Sequence, residues 1–297
     1  MTAFVDRIRH VPALGLGIST EYGAATAPAA LDPLALRTAY PAFAAFLEVG
    51  VEVVKGLDNT ARQWVHNGLP TTYHFLDLNL DEEEDFDAPW LSAVACLTDQ
   101  LQPAWLCGDA GLWHFGRRER GHMLLLPPIL SAEAAHQYAA GILRLRAALG
   151  YEVFPENPPG QVYLGPWHLL EFYADVVERA DTGFVLDCAH LAMYQNLMGY
   201  PPCTGLAEFP LERIVELHVA GTTPQTHEGF AYWEDDHTPD VLPPTWEIFE
   251  WVAPRAPHLK AVVFECERNP LAAVVPGFQR IAAVLDTTAL ARAEVER

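Results

Sequence analysis

The chain has 297 residues, 51% of them hydrophobic and 19% charged; that is ample for a buried core, at a length one α/β barrel routinely fills. Its 39 acidic residues against 18 basic ones leave a formal charge of -21. This argues against a nucleic-acid surface, which draws its affinity from Lys and Arg neutralising phosphates.

Met1 to His10 carries Asp6, Arg7 and Arg9 and no apolar core, so it does not read as a secretory signal, and no stretch is apolar and long enough to span a bilayer. The five cysteines form no CxxC pair and are odd in number, which predicts a reduced, cytoplasmic setting. In chain order, strand-like runs fall at Ala13–Thr20, Gly50–Leu57, Thr71–Leu78, Pro103–Asp109, Tyr151–Asn157, Gly183–Ala189, Arg213–Gly221 and Lys260–Glu267. Helical stretches are read at Pro33–Val49, Pro89–Leu101, Ser131–Gly150, Pro166–Ala180, Pro244–Ala253 and Leu271–Leu285. Ser131 is an N-cap candidate for the clearest helix, whose Tyr138, Ile142, Leu145 and Leu149 share one face.

Eight strands alternating with helical or loop sequence predict an α/β fold, a single (β/α)8 TIM-type barrel of one domain over residues 1–297. Two connections, Ala110–Pro128 and Thr222–Pro244, are longer than a plain barrel needs, and both follow strands, on the face where barrels place their chemistry. The acidic run Asp81–Asp85 reads as a solvated loop, and Trp246 and Trp251 as exposed aromatics on an outer helix that mark an interface.

Carboxylates and imidazoles recur where the strands end. His74 sits in a strand-like run and reads either as a satisfied core histidine or as a ligand. Glu156-Asn157 ends a strand and is followed by Pro158-Pro159, which stops further pairing. Asp187 emerges from the buried run Phe184-Val185-Leu186 and must meet a charge, a metal or a helix N-terminus; His190 follows three residues on. Alternation puts Glu216, His218 and Ala220 on one face; Asp235-x-His237 is either a surface turn or a ligand pair, and Glu265 leaves an apolar strand as Asp187 does. Several carboxylates in one lumen repel one another unless cations intervene. A mixed oxygen and nitrogen set suits iron, manganese or zinc. The sequence contains no GxSxG elbow, P-loop or HExxH, and Gly15-Leu16-Gly17 lacks the third glycine of a dinucleotide fingerprint.

These segments, from Leu14-Gly15-Leu16-Gly17 through the His74 strand, Leu126-Pro127-Pro128, Glu156-Asn157-Pro158, Leu186-Asp187, Glu216-Leu217-His218-Val219-Ala220-Gly221 and Asp235-Asp236-His237 to Phe264-Glu265, resemble the multinuclear non-haem iron-dependent oxidative enzymes. That family modifies ribosomally made peptides, often at cysteine, as in methanobactin biosynthesis. The resemblance implies a xylose-isomerase-like barrel, two or three iron ions (Fe2+/Fe3+), O2 as oxidant and, in many members, a partner protein that presents the precursor peptide. His74, Glu156, Asn157, Asp187, His190, His218, Asp235, His237 and Glu265 are the metal-ligand candidates, with Asp109 and His114 in reserve.

Arg117, Arg118 and Arg120 read either as a solvated basic loop or as a grip on a substrate carboxylate or an acidic leader peptide. The substrate is expected to be a precursor peptide or a small thiol- or amide-bearing molecule. The alternatives are a divalent-metal sugar isomerase, epimerase or phosphoesterase on the same barrel, which Asp187-x-x-His190 favours, and a non-enzymatic metal-bearing scaffold.

Overall fold

The structure is a computed structural model, and it describes residues 3–21, 24–26, 30–115 and 124–295. The strands are β1 (Gly15–Glu21), β2 (Leu47–Val51), β3 (Thr71–Phe75), β4 (Leu106–Asp109), β5 (Val153–Glu156), β6 (Phe184–Asp187), β7 (Ile214–His227), β8 (Phe230–Thr238) and β9 (Ala261–Glu265). The helices are α1 (Phe4–Ile8), α2 (Pro33–Ala39), α3 (Asn59–His66), α4 (Ala88–Leu101), α5 (Ala132–Leu149), α6 (Leu169–Ala180), α7 (Cys188–Met198), α8 (Pro243–Val252) and α9 (Leu271–Val295). Hydrogen bonding runs β6-β5-β4-β3-β2-β1-β9-β7 and closes through β6–β7, so eight parallel strands form a closed barrel. β8 lies outside the ring and pairs antiparallel with the far half of β7.

The barrel opens at one end only. At the N-terminal end, Phe4 and Ile8 of α1 pack into a cluster with Phe46, Trp105, Phe154, Val185, Val215 and Val263. Arg7 ties α1 down through Glu152 at 2.7 Å and Asp181 at 3.1 Å. Chemistry is thereby left to the opposite mouth, where the strands end.

Helix α5 forms as its sequence predicts. Ser131 Oγ accepts the Ala134 N–H at 3.3 Å, the helix stops at Gly150, and Tyr138, Ile142 and Leu145 are buried. Its middle presses against the chain after β3, so closely that a Cβ at Gly141 would lie 1.8 Å from the Leu80 carbonyl oxygen. Alanine for glycine inside a helix normally stabilises by about 1 kcal/mol. Here Gly141→Ala is expected to destabilise by about 3 kcal/mol, because a backbone atom has to move. Urea unfolding reads this directly, and an unchanged midpoint would show that the Leu80 segment yields freely.

Several elements depart from the sequence reading. The helix expected over Pro33–Val49 ends at Ala39, and β2 begins at Leu47, inside that stretch. Pro41 is the cause, since the residue before a proline is disfavoured in the α region. The strand expected over Gly183–Ala189 stops at Asp187, where α7 starts. The loop expected over Thr222–Pro244 is largely the β7–β8 hairpin, and α1 and α3 were not anticipated.

Asp85, from the supposedly solvated acidic run, is buried, accepting the Asn79 N–H at 2.8 Å and pairing with His114 Nε2 at 2.8 Å. Trp246 is likewise buried beneath Arg280, whose guanidinium carbon lies 4.2 Å from the ring centroid, so it marks no interface. All five cysteines are free. Among the described residues no helix is long and apolar enough to cross a membrane.

Candidate metal centre

Strand periodicity and parallel register bring the site together. His74, Asp109, Glu156, Asp187 and Glu265 stand at or next to the C-terminal ends of β3, β4, β5, β6 and β9, and His218 lies in β7. Asp109 is in register with Glu156, Asp187 with His218, and Glu265 with Ala220. All six are buried. Asp187 is both the N-cap of α7, its Oδ1 accepting the His190 N–H at 2.5 Å, and a member of the cluster. The cap turns His190 inward: its Nδ1 lies 3.8 Å from Asp109 and 3.7 Å from both Glu156 and Asp187.

The hairpin supplies the upper rim. At Gly221, where β7 leaves the barrel, a Cβ would come 2.1 Å from the Thr238 carbonyl oxygen, so only glycine allows β8 to return this close. The return sets Asp235 Oδ2 3.0 Å from His190 Nε2 and 3.6 Å from His237 Nε2. His237 adopts φ 50°, a left-handed conformation that costs a non-glycine residue about 1–2 kcal/mol. Held this way, its Nδ1 reaches Glu267 at 2.9 Å, and Glu267 in turn accepts the Ser19 hydroxyl at 3.1 Å.

Distances within the cluster are short. His74 Nε2 stands 2.8 Å from Glu156 and 3.8 Å from Asp109. His218 Nδ1 stands 3.0 Å from Glu156 and 3.6 Å from Glu265. Three overlapping sets, His74–Asp109–Glu156, Glu156–Asp187–His190 and Asp187–His218–Glu265, each offer ligand atoms within 4.8 Å of one another. A fourth such set, Glu21–His237–Glu267, lies at the rim, and a fifth, Glu48–Glu216–His218, lies beneath the others.

The electrostatics are those of a crowded acidic pocket. Burial and the Glu156 charge push the Asp109 carboxyl up to about 7. Burial, with Asp187 and Glu156 nearby, raises Glu265 far above the usual carboxylate range. Burial alone would lower His74, but the hydrogen bond and charge of Glu156, with Glu48 and Asp109 behind them, raise it to about 9. His190, His218 and His237 are raised well above their ordinary value, because their carboxylate neighbours outweigh burial.

Even so, Asp109 Oδ1, Asp187 Oδ2, Asp235 Oδ1, Glu265 Oε2 and both His218 nitrogens have no hydrogen-bond partner among the described residues. Unpaired buried polar atoms of this kind are costly. Hard oxygens and imidazole nitrogens aimed at common centres fit divalent first-row cations.

The expected ligands separate in the structure. His74, Glu156, Asp187, His190, His218, Asp235, His237 and Glu265 converge, and Asp109 joins them from reserve. Asn157 does not point a free carboxamide at the centre. Its Nδ2 donates to the Asp187 carbonyl and its Oδ1 accepts the Asp187 N–H, both at 3.0 Å, so it clamps β5 to β6. His114 lies with Asp85 and Asn79, outside the cluster. Arg117, Arg118 and Arg120 fall outside the described residues. Sequence reasoning missed Glu48, Glu21 and Glu267; the alternation Leu47-Glu48-Val49 was the available signal for the first, and Glu265-x-Glu267 for the last.

A closed parallel barrel with carboxylates and imidazoles gathered in its mouth defines a barrel of xylose-isomerase-like fold with a candidate metal centre. Solved structures agree on that fold. A xylose isomerase-like TIM barrel protein from Mycobacterium smegmatis, in complex with magnesium, matches with a TM-score of 0.59 at 9% identity over 97% of this chain and 99% of that one. Endonuclease IV from Thermus thermophilus matches at 0.51 and 14% identity, over 92% and 99%. The chain belongs to the MbnB/TglH/ChrH family of RiPP precursor modification enzymes, whose model matches residues 29–286. Its relatives include a UPF0276 protein of Anaeromyxobacter sp. strain Fw109-5, 27% identical over 76% of this chain and 79% of that protein. Another, from Bordetella bronchiseptica, is 26% identical over 81% and 85%.

Proposed function

We propose that the protein is an iron-dependent oxidative enzyme that modifies a ribosomally made peptide, with O2 as the oxidant. The observation that carries this reading is the convergence of carboxylates and imidazoles from six barrel strands, α7 and the hairpin, several of their polar atoms without a partner among the described residues, in a chain of a peptide-modifying family. His74, Asp109, Glu156, Asp187, His190, His218 and Glu265 would hold two ions, and Asp235 and His237, with Glu267 behind them, a third at the rim. Iron bound there would supply the Lewis-acid and redox chemistry.

The chain's own residues shape the space around the centre. A cavity of about 190 Å³ lies over the cluster, and an adjoining groove of about 340 Å³ shares Leu125, Pro159 and Asp235 with it. Leu126, Val162 and Tyr232 line the groove. A pocket that continues into an apolar groove suits a peptide, with the reacting residue in the cavity and its neighbours along the groove, better than a small polar sugar. A partner that presents the peptide, and Arg117, Arg118 and Arg120 gripping an acidic leader, belong to the same proposal.

Protein purified anaerobically with Fe2+ is expected to hold two or more equivalents of iron and to consume O2 with its precursor peptide. Zinc-only occupancy without O2 uptake would overturn the reading. The placement of both Asp187 and His190 in the cluster keeps one rival, a divalent-metal isomerase or epimerase, whose mark would be turnover with Mn2+ or Zn2+ under argon.

A further inference from the structure

Two imidazoles of the centre, His190 and His237, each have one nitrogen held by a polar partner. His190 Nδ1 lies 2.8 Å from the Asn157 carbonyl oxygen, which only accepts, so that nitrogen carries a proton, and Nε2 faces Asp235 at 3.0 Å. His237 Nδ1 faces Glu267 at 2.9 Å, leaving Nε2 toward the rim. His218 is more deeply buried than either. Its Nδ1 looks up at Glu156 and Glu265, and its Nε2 looks down at a second polar layer built from Glu48, Thr72, Cys107 and Glu216.

We infer that Glu48 is a positioning residue, which keeps the proton of His218 on Nε2 and so presents the Nδ1 lone pair to the metal centre. The inference rests on the reading of the cluster as a metal site. Glu48 is 1% exposed, and its Oε1 is the nearest carboxylate oxygen to His218 Nε2, at an ion-pair distance of 3.3 Å from a nitrogen that makes no hydrogen bond among the described residues. Its other oxygen, Oε2, is occupied by the Thr72 hydroxyl at 3.3 Å and the Cys107 thiol at 3.1 Å, both donors, which leaves Oε1 for the ring.

Glu216 is the only other carboxylate facing that nitrogen among the described residues. It stands farther off, at 4.0 Å, with its own Oε2 accepting the Trp105 indole N–H at 2.7 Å. A carboxylate behind an imidazole selects one tautomer, orients the ring and increases the basicity of the ligating nitrogen. Glu48 also borders the floor of the cavity and forms a ligand set with Glu216 and His218; the inference assigns it a role exerted through His218.

The test compares wild type, Glu48→Gln and Glu48→Ala for Fe2+ and Co2+ binding under argon, with the d–d absorption of the Co2+ form and the melting of each metal-free protein alongside. Glu48→Ala is expected to bind about 100-fold and Glu48→Gln about 10-fold more weakly, with the Co2+ band displaced in Glu48→Gln. Unchanged affinity, or weaker binding with an unmoved Co2+ band, would reduce Glu48 to a structural role and overturn the inference. Should Glu48→Ala fail to fold, the isosteric Glu48→Gln decides. Wild-type protein that binds neither ion would sink the metal reading itself, an outcome distinct from the failure of Glu48 alone.

Discussion

Asp187→Asn is expected to cost the protein its metal while leaving its fold intact. Asp187 has two oxygens with different duties: Oδ1 caps α7 at the His190 N–H, and Oδ2 is buried without a partner among carboxylates and imidazoles. Asparagine keeps a carbonyl oxygen for the cap, so the roughly 1 kcal/mol that a helix cap contributes is largely retained. It removes one negative charge from the two overlapping ligand sets that share Asp187. Residues that only support metal ligands cost 10–100-fold when lost, so a carboxylate that two ligand sets share should cost more than about 100-fold in affinity and in turnover.

The metal-free variant should melt no lower than wild type. Burial, the dominant cause, with the charges of Glu156 and Asp235 added, raises the Asp187 carboxyl above its ordinary value, so the ionised form is a strain on the metal-free chain. Calorimetry and metal analysis on the same samples separate the two effects. Equal iron content and affinity in Asp187→Asn would remove Asp187 from the centre.

The second large effect is a pH dependence that reverses when metal is added. In the metal-free chain His74 titrates near 9 against an ordinary 6.5, Asp109 near 7 against 3.8, and Glu216 near 8 against 4.5, the last raised by burial and by Glu48. All three bind protons more tightly folded than unfolded. Their stabilisation is fully present below each unfolded value and is lost as pH climbs through each folded value.

Glu156 and Asp235, despite burial, are held below the carboxylate range by their histidine neighbours. Their contribution runs the opposite way and is lost only in acid, below the unfolded carboxylate range. Between about pH 5 and 9 the first group governs, so the melting temperature of metal-free protein should fall as pH rises.

Cations replace those protons. Binding needs neutral imidazoles and ionised carboxylates, so affinity should increase with pH, protons should be released on loading, and the gap between loaded and metal-free melting temperatures should widen from about pH 6 to about 8.5. A metal-free melting temperature that climbs through this window would show that the cluster does not carry the protons assigned to it. His74→Gln, which removes the imidazole raised to about 9, should flatten the upper part of the profile.

Most of the barrel could be read from the chain because its signals are local. Buried strands such as Phe184–Asp187 and Ala261–Glu265 are continuous apolar runs ending in a carboxylate, as strands covered on both faces must be. Helix α5 announces its own cap, apolar face and stop. β2 was displaced rather than absent: the strand expected over Gly50–Leu57 meets Leu47–Val51 only at Gly50 and Val51, because the alanines before it carry no strand period and no turn motif other than Pro41 separates it from the helix.

The eight converging residues that the sequence nominated are those whose cost is visible locally: an ionisable side chain inside or at the end of an apolar strand has to be neutralised by something. That burden is a property of the residue and its neighbours in the chain, so sequence alone determined the barrel, the end at which these groups gather and their mixed oxygen and nitrogen chemistry. Geometry across the barrel is set by strand register and ring closure, which no local segment encodes. Only the tertiary structure therefore decided that Asn157 clamps backbone, that His114 belongs to Asp85, that Asp109 enters the cluster, and that Glu48, misplaced on a helix by the linear reading, stands behind His218. The hairpin that carries Asp235 and His237 over the mouth depends on the same cause, since the close approach of Gly221 to Thr238 exists only once β8 has folded back on β7.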